Sequence, residues 1–540
     1  IYTLSLHDAL PISSWTFLYI TEFFSGMSVM AVELGASRIL APYFSSSQIL
    51  WTVIIAIIMI SMAIGNILGG KRADKNKNPN VLYMHLIIAG VMISSIPFLV
   101  KYVVMLSSFF VMLFGGKNFL IWASILTCSI LFVFPLILLG GTTPSLAKYA
   151  TTTLNDNGEI IGKLGALQTF GSILGTFIPT FLTIPSIGTK LTFIVFGGIL
   201  ILLGLSFFLI TEKKIKPKLY ILLGVFVLFS ILGKNSSFAF DSKGIIYEDE
   251  SVYNYLKVNE DENSIILSTH VFAGVQSIKM KDNSTTGFYY DYALAASLMA
   301  NFNENKNPKS LILGMGSGTF ANMLNESFPN GKITGVEIDE KIIKLAKKYF
   351  DLPNTVEIIQ DDARFALKSL DKYDLILVDA YKDITVPFQM TTTEFFKEVE
   401  KHLQDDGVLV VNLNMFSNED GNLNDYIIGS LANVYPHIYS IKTSTNEVVF
   451  ATKNSNIINN FRKNRILLND FKGKYKNSFD YIETYLKEKD GKTLMKKGYV
   501  LTDDKSPVEL LGMKLLDNLI QKELEFFKDF NLKELLTNLN

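Results

Sequence analysis

Between Pro11 and Gly233 the chain has only six acidic residues: Glu22, Glu33, Asp74, Asp156, Glu159 and Glu212. Apolar runs fill the space between them, near 15–40, 46–70, 81–100, 118–143, 164–187, 191–210 and 219–233. A helix needs roughly 20 apolar residues to cross a hydrocarbon core, and in lipid it satisfies its own backbone groups. Most of these runs are long enough, and so many in succession exceed what a soluble core uses. The sequence therefore predicts a transmembrane helical domain over 15–234. The run at 219–233 is short, as is an extra apolar stretch at 102–116, and both fit an interfacial or re-entrant segment. Tyr2 to Ser13 has neither the basic start nor the apolar core of a signal peptide. It resembles a translated sequencing adapter, so residues 1–14 are read as a non-native leader that replaces the native start.

Polar groups inside spans are candidates for function. Glu33 stands out, with Arg38 five residues on. On a helix these two point about 140° apart, so Glu33 either faces a cavity or neighbouring helix or bonds locally. Gly65, Gly69 and Gly70, and the Gly171/Gly175 pair, have the spacing of close helix contacts. The GNILGGKRADK stretch resembles the loop between the second and third helices of the major facilitator superfamily.

Beyond residue 240 charge becomes dense and mixed. The net charge of −1 supplies no basic field for nucleic acid. One cysteine, Cys128, excludes disulfides and cysteine-ligated zinc within the chain, and the five histidines show no paired metal spacing. No metal is expected. Short alternating pieces over 245–300 (GIIYEDES, YLKVNED, SIILST, VQSIKM) suit a small antiparallel β-domain. Over 301–455 strands and helices alternate: SLILGM, KITGVEI, TVEIIQ, YDLILVD and GVLVVNL, with helical patterns between. That rhythm builds a doubly wound α/β sheet of the Rossmann type. YSIKTST and NEVVFATK fit an antiparallel hairpin closing it. A helical extension occupies 456–540, where the amphipathic LLGMKLLDNLIQKELEFFKDF packs on the sheet or on a second subunit.

Ligands of such sheets lie at the carboxyl ends of the strands. There the chain places a glycine turn, Gly314, Gly316 and Gly318. Glu337 follows 23 residues after Gly314, then Asp362, then Asp379. Glycines let backbone approach a nucleotide, and an acid ending the second strand accepts bonds from ribose hydroxyls. No G-x-x-x-x-G-K-[ST] loop is present to hold a triphosphate. The G-x-G-x-G run is that of nucleosides donating methyl or alkyl groups. Asp339 and Asp361 fit helix capping better.

These motifs carry a resemblance. ILGMGSG, GVEID, QDDARFAL, YDLILVDAY and TTTEFFKEVEKHLQDDGVLVVNL resemble spermidine synthases over roughly 245–455. ELGASRILAPYFSSSQILWT and VLTDDKSPVELL resemble the membrane-fused bacterial branch of that family. The resemblance implies an aminopropyltransferase that uses decarboxylated S-adenosylmethionine and a polyamine such as putrescine. By the same resemblance, Asp379 is the base and Glu337 contacts ribose. Asp362 contacts the adenine amino group, with Asp361 and Ala363 beside it, and Gln276 matches a donor-contacting glutamine. Tyr290 or Tyr292 orients the amine, with Tyr292 taken as the site residue. Asp503 and Asp504 line the acceptor side.

Two departures follow. The family has an acid in the glycine turn where this chain has Ser317. The family's D-S-S-D becomes Asp379-Ala380-Tyr381-Lys382, with Asp383 one step late as the replacement. Both changes remove negative charge where a dication would sit. Two other functions therefore stay open: a methyl or alkyl transferase using intact S-adenosylmethionine, and a polyamine transporter with a nucleoside-sensing soluble domain.

Lys71, Arg72, Lys75 and Lys77 crowd one loop, and Lys213, Lys214, Lys216 and Lys218 another. Both belong in the cytoplasm. Six crossings satisfy this. A seventh would put the soluble half outside, away from a cytosolic nucleoside. The expected arrangement is thus a multi-pass protein of the bacterial cell membrane, with 219–233 not crossing and the soluble domain cytoplasmic.

Overall fold

The computed structural model describes residues 14–529, apart from 77, 115–117, 151–156, 212–216, 272–273, 381–385, 415–417 and 468–472. It divides into two compact units, Ile1–Asp241 and Ser242–Asn540.

The first unit is helical: α1 (Ser14–Phe44), α2 (Gln48–Lys75), α3 (Pro79–Phe114), α4 (Phe119–Gly140), α5 (Thr142–Ala150), α6 (Asn157–Ile178), α7 (Ile184–Thr211) and α8 (Pro217–Asn235). A π-helical turn, Pro179–Thr183, precedes α7, and Gly188 breaks the helix inside it. Six helical stretches are long and apolar enough to cross a membrane, and one of them runs over both α6 and α7. The glycines act as packing surfaces. Gly171 and Gly175 lie against the backbone of Phe23 and Met27 on α1, and Gly65 lies against Ile137 and Gly140 on α4. Any side chain there would force these helices apart.

Two expectations change, and the packing of α8 bears on a third. The stretch at 102–116 is not separate, because α3 continues through Pro97 and Lys101 for 36 residues; one lysine does not interrupt a helix. Glu33 is only half-buried, whereas Glu22 is the buried acid, 1% exposed, with Thr143 donating to its Oε1 at 2.5 Å. Finally, α8 runs the length of the bundle beside α3. Phe226 meets Gly198 of α7, Phe229 packs on Phe98, and Ser236 donates to the Pro97 carbonyl. The carbonyl of Phe238 accepts from Tyr43 at the end of α1, and Lys190 at the start of α7 lies over its ring. The other end of the bundle gathers Leu18, Leu82, Leu146 and Ile160. Nineteen residues at 1.5 Å each give about 28 Å, close to a hydrocarbon core. By length and apolar composition α8 is among the stretches able to cross a membrane.

The second unit opens with an antiparallel sheet of β1 (Ile245–Glu250), β2 (Tyr255–Glu260), β3 (Ser264–Ser268) and β4 (Ser277–Met280), paired in that order. Two short helices follow, α9 (Tyr289–Ala293) and α10 (Ala295–Met299). The main sheet then alternates with helices: β5 (Lys309–Leu313), α11 (Thr319–Ser327), β6 (Lys332–Val336), α12 (Glu340–Tyr349), β7 (Glu357–Ile359), α13 (Ala363–Ala366), β8 (Tyr373–Val378), α14 (Thr393–Lys401), β9 (Leu403–Leu413) and α15 (Leu423–Ala432). The hairpin β10 (His437–Lys442) and β11 (Glu447–Thr452) comes next, then α16 (Ile457–Leu467), α17 (Lys476–Tyr485), β12 (Lys487–Glu488), α18 (Gly491–Lys496) and α19 (Val508–Asp529).

The strand order is β12-β10-β11-β9-β8-β5-β6-β7. β5 to β9 run parallel, and β11 lies antiparallel to β9. Both faces are covered, so strands read as continuous apolar runs. Along β8, Leu375 and Leu377 join the core with Tyr289 and Phe461, while Ile376 and Val378 join the opposite core with Phe395 and Val508. Each fully buried side chain of this kind contributes roughly 1.5–3 kcal/mol. From β5 the chain winds outward through β6 and β7, then returns to β8 on β5's other side. That reversal opens a crevice at the carboxyl ends of β5 and β8.

Candidate active site

The glycine turn closes β5 and is forced by contact. Gly314 has φ +85°, and a Cβ there would lie 2.6 Å from the Ala380 Cα. Gly316 has φ +57°, and its Cβ would lie 2.7 Å from Ser277 Oγ. Gly318, also at positive φ, precedes α11. L-residues avoid this left-handed region. Ser277 Oγ accepts from the Ser317 amide at 3.0 Å, joining β4 to the turn.

Glu337 stands just beyond β6 and reaches back to the turn. Its Oε2 accepts from the Gly316 amide at 2.9 Å and its Oε1 from the Asp339 amide at 3.0 Å. A carboxylate offers about four acceptor positions, so two remain for hydroxyl donors. Burial pushes its carboxyl up to about 7, and the nearby Asp339 charge adds to that, while the amides of Asp339, Gly316 and Ile338 pull it back.

Asp379 follows β8 and is buried. The Tyr289 hydroxyl donates to its Oδ2, and Asn412 Nδ2 donates to its Oδ1 at 2.8 Å. Burial raises this carboxyl to about 7 as well; the two donors oppose the rise and the charge of Glu337 adds to it. Two acids that feel each other across the mouth of one crevice are suited to hold a cationic ligand and to take up a proton.

The other expected residues fall as follows. Asp362 is the N-cap of α13, accepting from the Arg364 and Phe365 amides at 2.9 and 3.0 Å. Asp361 Oδ1 accepts from the Asp362 amide. The capping role expected of Asp361 thus belongs to Asp362, because it is Asp362 that has extended φ/ψ immediately before the helix. Asp339 caps α12 as expected. Ala363 is buried at the start of α13. Gln276 is half-buried beside β4, and its carbonyl accepts from the Tyr290 hydroxyl.

Tyr292 does not reach Asp379. It packs edge-on against Tyr481, with centroids 5.6 Å apart. Tyr289 takes the place at Asp379 because α9 begins there, and Tyr292 lies nearly a turn further on. Asp503 is bound by Arg364 at 2.8 Å, and Arg364 also grips Glu398 and the Gln389 carbonyl. Ser317 is fully buried, and its Oγ has no partner among the described residues. Lys382 and Asp383 lie outside the described residues. Sequence reasoning missed Tyr289, Asn412 and Ser277. Asn412 was within reach, since Val378 pairs with Val411 and the next residue on each strand is then adjacent.

This strand order, with a glycine turn, an acid on the second strand and a buried carboxylate after the fourth, defines a Rossmann-type transferase that uses a nucleoside. Residues 289–464 match the spermine/spermidine synthase domain. A probable polyamine aminopropyl transferase of Bifidobacterium longum is 42% identical over 312 residues, covering 55% of this chain and 69% of that protein. The polyamine aminopropyltransferase of Vibrio vulnificus is 30% identical over 215 residues, covering 38% and 70%. A solved structure described as a probable spermidine synthase from Corynebacterium glutamicum aligns with 48% of this chain and 94% of its own at 20% identity, with a TM-score of 0.37. The chain belongs to the spermine/spermidine synthase family. Its second unit is an enzyme of the polyamine aminopropyltransferase type.

Proposed function

We propose that residues 242–540 transfer an aminopropyl group from decarboxylated S-adenosylmethionine to a polyamine such as putrescine, and that the helical unit anchors them in a bacterial cell membrane. Asp379 carries the catalytic reading. It is a buried carboxylate with a donor on each oxygen, at the mouth of a crevice that also holds Glu337 and the glycine turn. The residues suit the donor. Gly314, Gly316 and Gly318 hold the turn at positive φ beside the carboxyl end of β5, and Glu337, anchored by the Gly316 and Asp339 amides, keeps acceptor capacity for ribose hydroxyls. Asp361, Asp362 and Ala363 would border the base, and Gln276 would border the sulfonium end.

The chemistry is an in-line displacement. The neutral amine nitrogen attacks the carbon bonded to the sulfonium. A C–N bond forms while the C–S bond breaks, and the electron pair leaves on sulfur as the neutral thioether methylthioadenosine. The extra proton on nitrogen passes to the Asp379 carboxylate and then to water. A carboxylate near pKa 7 both accepts and releases that proton at neutral pH. Tyr289 and Asn412 hold its oxygens in place.

Membrane anchoring is supported by the six apolar helical stretches and by their outward faces. Met59, Phe170 and Phe181 are 64, 63 and 72% exposed, more apolar surface than a soluble protein shows. Resistance of the chain to alkaline carbonate extraction tests that part.

The activity is tested by giving detergent-solubilised protein the decarboxylated donor and a panel of di- and triamines. Methylthioadenosine that depends on the amine supports the reading, and none with any amine removes it. S-adenosylhomocysteine from the intact donor would instead mark a methyl transferase.

A further inference from the structure

Asp379 lies at the end of a string of side chains that begins at the exposed Thr445 of the β10–β11 hairpin, on the far side of β9, and runs inward through the buried Asn446 and Asn412. Thr445 Oγ1 donates to Asn446 Oδ1 at 2.6 Å. Asn446 Nδ2 donates to Asn412 Oδ1 at 2.9 Å, with a longer approach of 3.5 Å to Asn414 Oδ1. Asn412 Nδ2 donates to Asp379 Oδ1 at 2.8 Å. Asn412 and Asn446 are 3 and 4% exposed, so water does not substitute for these partners. The Asn446 backbone is fixed too: its amide donates to Thr443 Oγ1 at 3.0 Å, and its carbonyl accepts from the Thr443 amide at 2.8 Å.

We propose that Asn446 is a positioning residue for Asp379, acting through Asn412. This rests on the reading of Asp379 as the proton acceptor. An asparagine amide has an acceptor end and a donor end, and its neighbours decide which way round it sits. Asn446 gives its NH₂ to the Asn412 carbonyl, so Asn412 must turn its own NH₂ toward Asp379. Every bond in the string points the same way, toward the carboxylate, and bonds so aligned polarise one another. Reversing Asn412 would set its carbonyl oxygen against the carboxylate, an arrangement tolerated only when Asp379 carries a proton. The hairpin thereby selects the ionised form of the acid and fixes the rotamer of its side chain.

Among the described residues, the other groups that face Asp379 are Tyr289 on Oδ2, the neighbouring Tyr290, and the charge of Glu337. Glu447, next to Asn446, is occupied by Lys489 at 2.7 Å, by Ser440 and by Asn424. It does not compete for the string.

The test inverts one link. In Asn446→Asp an acceptor replaces the NH₂, so Asn412 turns its NH₂ away from Asp379. In Asn446→Ala the constraint is only removed, and Thr445→Val removes the first donor. With full-length protein, the acid limb of the kcat/KM profile is expected to move up by more than about one pH unit in Asn446→Asp, by about half a unit in Asn446→Ala, and least in Thr445→Val. The donor KM should stay within about twofold, because none of these residues lies on the donor side. Equal profiles for Asn446→Asp and Asn446→Ala, or no shift in either, overturn the proposal. A second readout needs no turnover. Infrared spectra at pH 8 should show a protonated carboxyl band in Asn446→Asp that disappears when Asp379→Asn is added. Absence of that band overturns the proposal even if the protein has another activity, whereas failure of the aminopropyl reading appears as missing methylthioadenosine in the unaltered protein.

Discussion

The Tyr289 hydroxyl donates to Asp379 Oδ2, tying the first residue of α9 to the end of β8. The bond spans 90 residues of sequence and stabilises the anion that takes the amine proton. A hydrogen bond to a charged group contributes roughly 1.5–3 kcal/mol. Tyr289→Phe keeps the ring in the core and deletes only the hydroxyl. It is expected to lower kcat/KM about 10–100-fold, by the same free energy. Tyr292→Phe should change it by less than about twofold, since that ring packs on Tyr481 away from the acid. Steady-state kinetics of the two variants check this, and equal losses would contradict the geometry.

Asp379 and Glu337 both titrate near 7 because burial penalises their charge. The reaction needs Asp379 ionised, so kcat/KM should fall as pH drops through about 7. A bound sulfonium favours the ionised form. The acid limb of kcat, measured with donor saturating, should therefore lie below that of kcat/KM. Asp379→Asn should abolish turnover while donor binding persists. A pH series with saturating and limiting donor checks the order of the two limbs.

Much of this site is written into the chain, since strand ends and glycines show in a linear pattern. Gly314, Glu337 and Asp379 stand where a parallel sheet presents its carboxyl ends, and the hairpin at 437–452 shows in its β-branched and aromatic run. Which tyrosine meets Asp379 does not show, because GFYYDY has three and only the start of α9 decides. The ion pair of Asp503 does not show for a related reason: its partner Arg364 lies 139 residues away and leaves no local trace. In the helical unit, hydropathy located the apolar helices but not the continuity of α3 or the course of α8, both of which are set by tertiary packing.

The glycine turn leaves no room for a side chain. Gly316→Ala places a methyl 2.7 Å from Ser277 Oγ at φ +57°. Such strain costs about 1–3 kcal/mol, and relieving it would pull the Gly316 amide away from Glu337. Donor affinity should fall at least about tenfold while amine KM changes little. Isothermal titration with the donor nucleoside or methylthioadenosine measures this, and unchanged affinity would place the ligand elsewhere.

Arg364 holds Asp503 through two bonds of 2.8 Å and Glu398 through bonds of 2.8 and 3.0 Å. The clamp fastens the 502–505 turn against α13 and α14. The Arg364 guanidinium keeps the Asp503 carboxyl below its ordinary range. Asp503 is partly exposed, so Asp503→Asn should cost only about 1 kcal/mol or less and leave amine KM within about twofold. A large rise in amine KM would restore Asp503 to the acceptor side. Faster proteolysis within 498–508 would register loss of the clamp.

The chain leaves α8 beside Tyr43 and Lys190, at the end of the helical unit opposite Lys71, Arg72 and Lys75. If the basic loops face the cytoplasm and α8 crosses, Ser236 and Ser237 lie on the outer face. If α8 instead stays on the cytoplasmic side, the cytoplasmic soluble domain expected from the sequence follows. Cys128 is buried, so introduced cysteines can be read against a low background. With an impermeant maleimide on intact cells, Ser237→Cys should label and Asn76→Cys should label only after lysis. Labelling of both from one side would mean that α8 does not cross.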